Sequence, residues 1–185
     1  MRIVGGRFRG RRLAPVGTGD AAARLRPTTD RVREAVFNLL RNGTLGDAVT
    51  GATVLDLFAG TGALGLEALS RGAAAATFVE NGRAGLALLR RNVEMLEVEA
   101  RILARDARRP GPAPVPHDLI LLDPPYGRDM GGAALTACAA AGWIAPGAAL
   151  MWEDGAPPDL PQGWAQVDQR RYGGTVITLA RHGVA

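Results

Sequence analysis

The sequence predicts an α/β fold: a mostly parallel sheet whose strands alternate with helices, finished by an antiparallel pair at the C-terminal end. Three observations carry this. Short apolar runs alternate with helical patterns along most of the chain. One run, Thr53–Leu57, enters a glycine turn, Gly60-Thr61-Gly62-Ala63-Leu64-Gly65, that opens a helix. Another, Leu119-Ile120-Leu121-Leu122, ends on Asp123-Pro124-Pro125-Tyr126. An apolar run of that length reads as a buried parallel strand. Proline has no N–H for the ladder, so the strand must stop at Asp123.

A chain of 185 residues with 47% hydrophobic content suits one full core with a small appendage. No apolar stretch reaches the roughly 18 residues that a membrane helix needs. The Arg-rich start lacks the apolar core of a signal peptide. The single cysteine, Cys138, excludes an intramolecular disulfide and a cysteine-built metal site, and its alanine-rich setting reads as a buried helix position. A cytoplasmic protein without a bound metal is the expectation.

All 22 Lys and Arg residues are arginines. Residues 1–33 hold nine of them against Asp20 and Asp30, a local net charge of +7; the remainder of the chain carries −3. Positive charge is therefore a front-end feature, the footprint of a nucleic-acid partner. Residues 2–14 read as a short hairpin or extended arm anchored by Ile3, Val4, Phe8 and Leu13. Arg2, Arg7, Arg9, Arg11 and Arg12 interleave with Phe8 as candidate RNA contacts, joined by Arg26 and Arg31. A solvated arm without a partner is the plainer alternative. Residues 15–24 read as a loop.

A helix is expected to start within residues 25–34, with Thr28 or Thr29 as its cap and Asp30 at the positive end of its dipole. Val32, Val36, Leu39 and Leu40 form its apolar stripe. Thr28 reads equally as a cap and as a cofactor ligand at a helix N-terminus. This front unit spans residues 1–50, and the remaining unit spans 51–185.

In the second unit Gly60, Gly62 and Gly65 match G-x-G-x-x-G. Glu80 lies twenty residues after Gly60, at the end of the strand Ala76–Glu80. Together these form a dinucleotide fingerprint in which Glu80 grips a ribose. Asp56 and Phe58 sit where the strand meets the loop. A carboxylate at Asp56 repels a diphosphate and favours a cation. S-adenosylmethionine, with a sulfonium and an ammonium and no phosphate, is therefore preferred over NAD. The cofactor candidates are Asp56, Phe58, Gly60, Gly62, Glu80, Asp106 and Thr28.

A helix over 82–97 follows, with Arg83, Arg90 and Arg91 on a solvated face. Next comes a short strand, 100–104. Asp106 reads as a partner for an adenine amine or as a turn cap. Residues 108–117 form a proline-rich loop, and His117 reads as structural. At the Asp123 turn, the Asp123 carboxylate and the Pro124 carbonyl can accept the two hydrogens of an exocyclic amine. Tyr126 can stack on the base, worth about 1–3 kcal/mol. Drawing both N–H bonds out of plane frees a nitrogen lone pair otherwise delocalised into the ring. Residues 127–132 read as a flexible glycine rim and 133–141 as a helix. Strands follow near 148–153, 165–172 and 174–180, the last two joined at Gly173-Gly174.

These residues resemble the bacterial 16S rRNA (guanine-N2)-methyltransferase family that modifies guanine 966. The likeness rests on Arg2-Ile3-Val4-Gly5-Gly6, Arg9-Gly10-Arg11, the stretch from Leu25 to Glu34, the stretch from Phe58 to Gly72, and Asp123–Tyr126. The Arg26-Pro27-Thr28-Thr29-Asp30-Arg31-Val32-Arg33-Glu34 run is the most specific. The resemblance implies a Rossmann-like class I fold of seven strands with S-adenosylmethionine as methyl donor. It implies a target in assembled or assembling small subunits, with the Arg-rich front end on RNA; a monomer is expected. Some members carry Asn at the Asp123 position, which can accept the same hydrogen bonds. The competing functions are a DNA adenine-N6 methyltransferase, an NAD-dependent reductase, and an RNA-binding assembly factor without catalysis.

Overall fold

Strand alternation and helix amphipathicity produce a single seven-stranded sheet in a computed structural model, which describes residues 1–15, 29–125 and 130–183. In chain order the elements are α1 (Asp30–Asn42), β1 (Thr53–Leu57), α2 (Ala63–Ser70), β2 (Ala75–Glu80), α3 (Arg83–Leu96), β3 (Arg101–Ala104), β4 (His117–Leu122), α4 (Met130–Ala140), β5 (Ile144–Asp154), β6 (Trp164–Tyr172) and β7 (Thr175–His182). The sheet order is β3-β2-β1-β4-β5-β7-β6. The first five strands run parallel, and β7 pairs antiparallel with both β5 and β6.

Strand residues alternate between two cores. On one face Val54, Phe78, Leu119, Leu121 and Met151 pack with Val36, Phe37 and Leu40 of α1, Leu66 of α2 and Leu89 of α3. On the other, Leu55, Leu57, Ile120, Leu122 and Trp152 pack with Leu135 and Cys138 of α4. The N-terminal segment belongs to the first core. Arg2 and Arg12 form an antiparallel bridge, a short hairpin, and Ile3 and Leu13 are buried with α1.

Thr29 caps α1 by accepting from the Val32 N–H at 3.3 Å. Thr28, Arg26 and Tyr126 lie outside the described residues. Arg33, near the start of α1, is fully buried. Two expectations change. Residues 130–132 are the first turn of α4 rather than a rim. Gly131 lies against the Trp152 indole, where any Cβ would overlap the ring. Finally, β5 begins at Ile144, because a register shift between His117 and Leu119 absorbs Pro146 and Gly147. His117 is buried, 3.0 Å from the Thr77 hydroxyl and 3.2 Å from the Trp143 carbonyl, and stacks on the Trp143 ring. That is a packing role, as expected.

Candidate active site

The sheet order reverses between β1 and β4, and ligands in open α/β sheets bind at the carboxyl edge of such a switch point. Leu57 and Leu122 are register partners, so Phe58 and Asp123 leave the sheet at the same height. Phe58 adopts φ 58°, a left-handed conformation uncommon for an aromatic residue. It turns the chain so that Ala59 still donates to the Val79 carbonyl, at 3.1 Å, before the glycine loop begins. Gly62 has φ 78° and precedes the first turn of α2. Side-chain atoms of Leu89 fill the place its Cβ would take, and the Phe78 ring does the same at Gly65. The second and third positions of the glycine pattern thus serve different ends: a turn, and close packing of helix on strand.

Glu80 holds the loop from the end of β2. One carboxylate oxygen accepts from the Gly60 N–H at 2.7 Å and the other from Gly82 at 2.5 Å. Each carboxylate oxygen accepts more than one bond, so capacity remains for a ribose hydroxyl. Asp56 is almost wholly buried and accepts from the Gly65 N–H at 2.9 Å. Burial, with a smaller contribution from the Glu80 charge, pushes its carboxyl up to about 7 despite that hydrogen bond. Asp106 accepts from the Arg108 N–H at 2.9 Å and pairs with the Arg108 guanidinium at 2.7 Å, which holds its carboxyl below the usual range. It therefore caps a turn.

Asp123 follows β4 directly. Burial, then the charges of Glu153, Asp56 and Asp154, raise its carboxyl well above the ordinary carboxylate range. Four strand ends thus bring carboxylates close enough for their charges to act on one another: Asp56 from β1, Glu80 from β2, Asp123 after β4, and Glu153 with Asp154 from β5. Crowded carboxylates disfavour a diphosphate and suit a ligand carrying positive charge. The donor set therefore fits the sulfonium and ammonium of S-adenosylmethionine. A cavity of about 500 Å³ opens beside the turn, walled by Pro124, Pro125, Gly131, Trp152 and Asp154. Another, of about 730 Å³, lies on the hairpin side of α2 by Arg7 and Ser70, away from the glycine loop. Among the described residues no group of His, Cys, Asp and Glu has the makings of a metal site. Cys138 is buried, which raises its thiol to about 12 and leaves it unreactive.

The candidate RNA contacts Arg2, Arg7, Arg9, Arg11, Arg12 and Arg31 are all exposed. Arg2 pairs with Asp30 at 3.1 Å, and Arg11 donates to the Met95 carbonyl at 2.5 Å at the end of α3. Arg7 lies 4.5 Å over the Phe8 ring. Three buried residues that sequence reasoning passed over hold this hairpin in place. Glu67 of α2 accepts from the Val4 and Gly5 N–H groups, each at 2.8 Å, and pairs with Arg71 at 2.7 Å and Arg33 at 3.5 Å. Arg33 also donates to the Arg2 carbonyl and pairs with Asp30 at 2.8 Å. The third, Asn92, bonds to Ala14. The available signal was polar residues on helix faces that are otherwise apolar.

The sheet, the glycine loop and the carboxylates gathered at the strand ends define a class I S-adenosylmethionine-dependent methyltransferase. The chain belongs to the family described as Conserved hypothetical protein 95, whose model matches residues 1–181. It is 39% identical over 170 residues to the Ribosomal RNA small subunit methyltransferase D of Escherichia coli K12, covering 89% of this chain and 81% of that protein. The protein of the same name from Haemophilus influenzae is 32% identical over 181 residues, covering 94% of this chain and 89% of its own. The solved structure of yhhF from Escherichia coli superposes with a TM-score of 0.84 at 34% identity, covering 100% of this chain and 99% of that one.

Proposed function

We propose that this enzyme methylates the exocyclic N2 amine of a guanine in 16S rRNA, at the position equivalent to guanine 966, as a monomer in the cytoplasm. The observation that carries the reading is Asp123-Pro124 at the end of β4, across the switch point from the glycine loop. The names of the relatives support the RNA class, and the basic hairpin supplies a surface of the matching charge.

Bound in the crevice, S-adenosylmethionine supplies an electrophilic methyl carbon. Glu80 holds the ribose, Asp56 and the loop at Gly60 and Gly62 receive the charged end, and Phe58 and Asp106 flank the adenosine. Thr28 is a further cofactor contact in this reading. Asp123 and the Pro124 carbonyl accept the two amine hydrogens, which pulls the nitrogen from planarity and directs its lone pair outward. This is catalysis by orientation and electrostatics. The two prolines keep the acceptors from moving as the base arrives. Tyr126 stacks on the unpaired base, after the manner of enzymes that withdraw a base from its helix. The hairpin and α1 form the RNA-engaging extension, with Arg2, Arg7, Arg9, Arg11, Arg12, Arg26 and Arg31 on phosphates.

The deciding experiment supplies tritiated S-adenosylmethionine and small subunits from a strain lacking the modification, then identifies the labelled nucleoside. The expected product is N2-methylguanosine. Label in N6-methyladenosine, or none, overturns the assignment.

A further inference from the structure

Asn92 lies on α3, is fully buried, and uses both ends of its amide. Its oxygen accepts from the Ala14 N–H at 2.7 Å, and its nitrogen donates to the Thr61 carbonyl at 2.8 Å. Thr61 is the residue between Gly60 and Gly62, so this bond fixes the glycine loop from behind while Glu80 fixes it from the crevice side. Ala14 follows the Arg2–Arg12 bridge of the N-terminal hairpin by two residues. One planar group therefore ties the cofactor loop to the basic hairpin. The same hairpin is bound at its other strand to α2, the helix that the glycine loop opens, through Glu67 and through Ser70, whose hydroxyl accepts from Phe8 at 2.9 Å and donates to the Gly5 carbonyl at 2.6 Å.

We propose that Asn92 is a positioning residue that sets the glycine loop for the cofactor and couples that loop to nucleic-acid engagement by the N-terminal hairpin. The second half rests on the RNA reading given above. The physical ground is the chemistry of the amide. A neutral amide offers an acceptor and a donor on one rigid plane, and both backbone partners are buried groups that need satisfying. A loop built from two left-handed glycines has wide conformational freedom of its own. Tethering its middle carbonyl removes that freedom before the cofactor arrives, which favours binding. Coupling is reciprocal: if cofactor binding tightens the loop and thereby the hairpin, RNA bound to the hairpin must tighten cofactor binding by the same factor.

The test uses the full chain and titration calorimetry with S-adenosylmethionine, alongside binding of an unmodified 16S rRNA transcript with and without S-adenosylhomocysteine. Asn92→Asp keeps the acceptor for Ala14 but sets a second oxygen against Thr61. Asn92→Leu removes both bonds at similar size and serves if the buried charge of the first prevents folding. Ser70→Ala loosens the hairpin far from the loop and controls for lost docking alone. Expected are about tenfold weaker S-adenosylmethionine binding in the Asn92 variants, unchanged binding in Ser70→Ala, and a several-fold tightening of transcript by cofactor in wild type that the Asn92 variants lose. Cofactor affinity within twofold of wild type in both Asn92 variants overturns the loop role. Transcript binding by wild type that ignores the cofactor overturns the coupling. A wild type that binds no transcript strikes the RNA reading instead, and the calorimetry still decides the loop role.

Discussion

In the proposed reaction the chemistry turns on Asp123, which among the described residues places a side-chain acceptor directly after β4. Asp123→Ala should lower turnover by about 100-fold or more, the scale for losing one preorganised electrostatic partner, while S-adenosylmethionine still binds in calorimetry. Asp123→Asn keeps an acceptor in the same place and should retain much of the rate. Equal activity in the alanine variant would remove the residue from the mechanism. Asp56 gives a pH prediction. Its carboxyl keeps its proton up to about 7 in the folded chain, against an ordinary value of 3.8. Between those values the folded state binds a proton that the unfolded state has released, so this group's contribution to stability falls as pH rises through the window and is constant above it. A bound cation favours the ionised form, so S-adenosylmethionine affinity should rise from pH 6 to pH 8. Asp56→Asn should flatten that rise; a flat wild-type profile measured by calorimetry would detach Asp56 from the cofactor.

At the scale of elements, helix α4 and strand β5 meet through a glycine. Gly131 sits in the first turn of α4, with the Trp152 ring in the space of a Cβ. Gly131→Ala gains up to about 1 kcal/mol of helix propensity, less in a first turn. The overlap with a buried indole costs about 1–3 kcal/mol and prevails. The expected result is a Tm lower by several degrees, with a disturbed cavity beside Pro124 and Pro125 and so a raised KM for RNA. An unchanged Tm would mean that the indole moves aside freely. The same glycine shows where sequence reading stops. Gly131 and Gly132 read as rim residues because glycine disfavours helices, whereas close approach to Trp152 outweighs that propensity.

For the whole molecule, charge separates from chemistry: the positive hairpin lies at one end of the chain, the carboxylates at the sheet's rim. Replacing Arg9, Arg11 and Arg12 together with Ala should weaken RNA binding and reduce the slope of log affinity against log salt by about 2–3, since each phosphate contact contributes roughly 0.7–0.9. Affinity and slope that match wild type would clear the hairpin of RNA. None of the three is buried, so the fold should survive the change, and a Tm measurement checks that it does.

Sequence by itself determined the βα alternation, the glycine loop, the acid on β2, the stop at Asp123 and the closing antiparallel pair, because each is a local consequence of side-chain period, of glycine's freedom or of proline's missing donor. Only the tertiary structure decided that Glu67 would hold Val4 and Gly5, residues 63 and 62 positions away, or that Asn92 would join Ala14 to Thr61. Such bonds depend on which backbone groups are left unpaired once the helices have packed. That is settled by the assembled core, where a buried polar group must find a partner wherever the chain brings one.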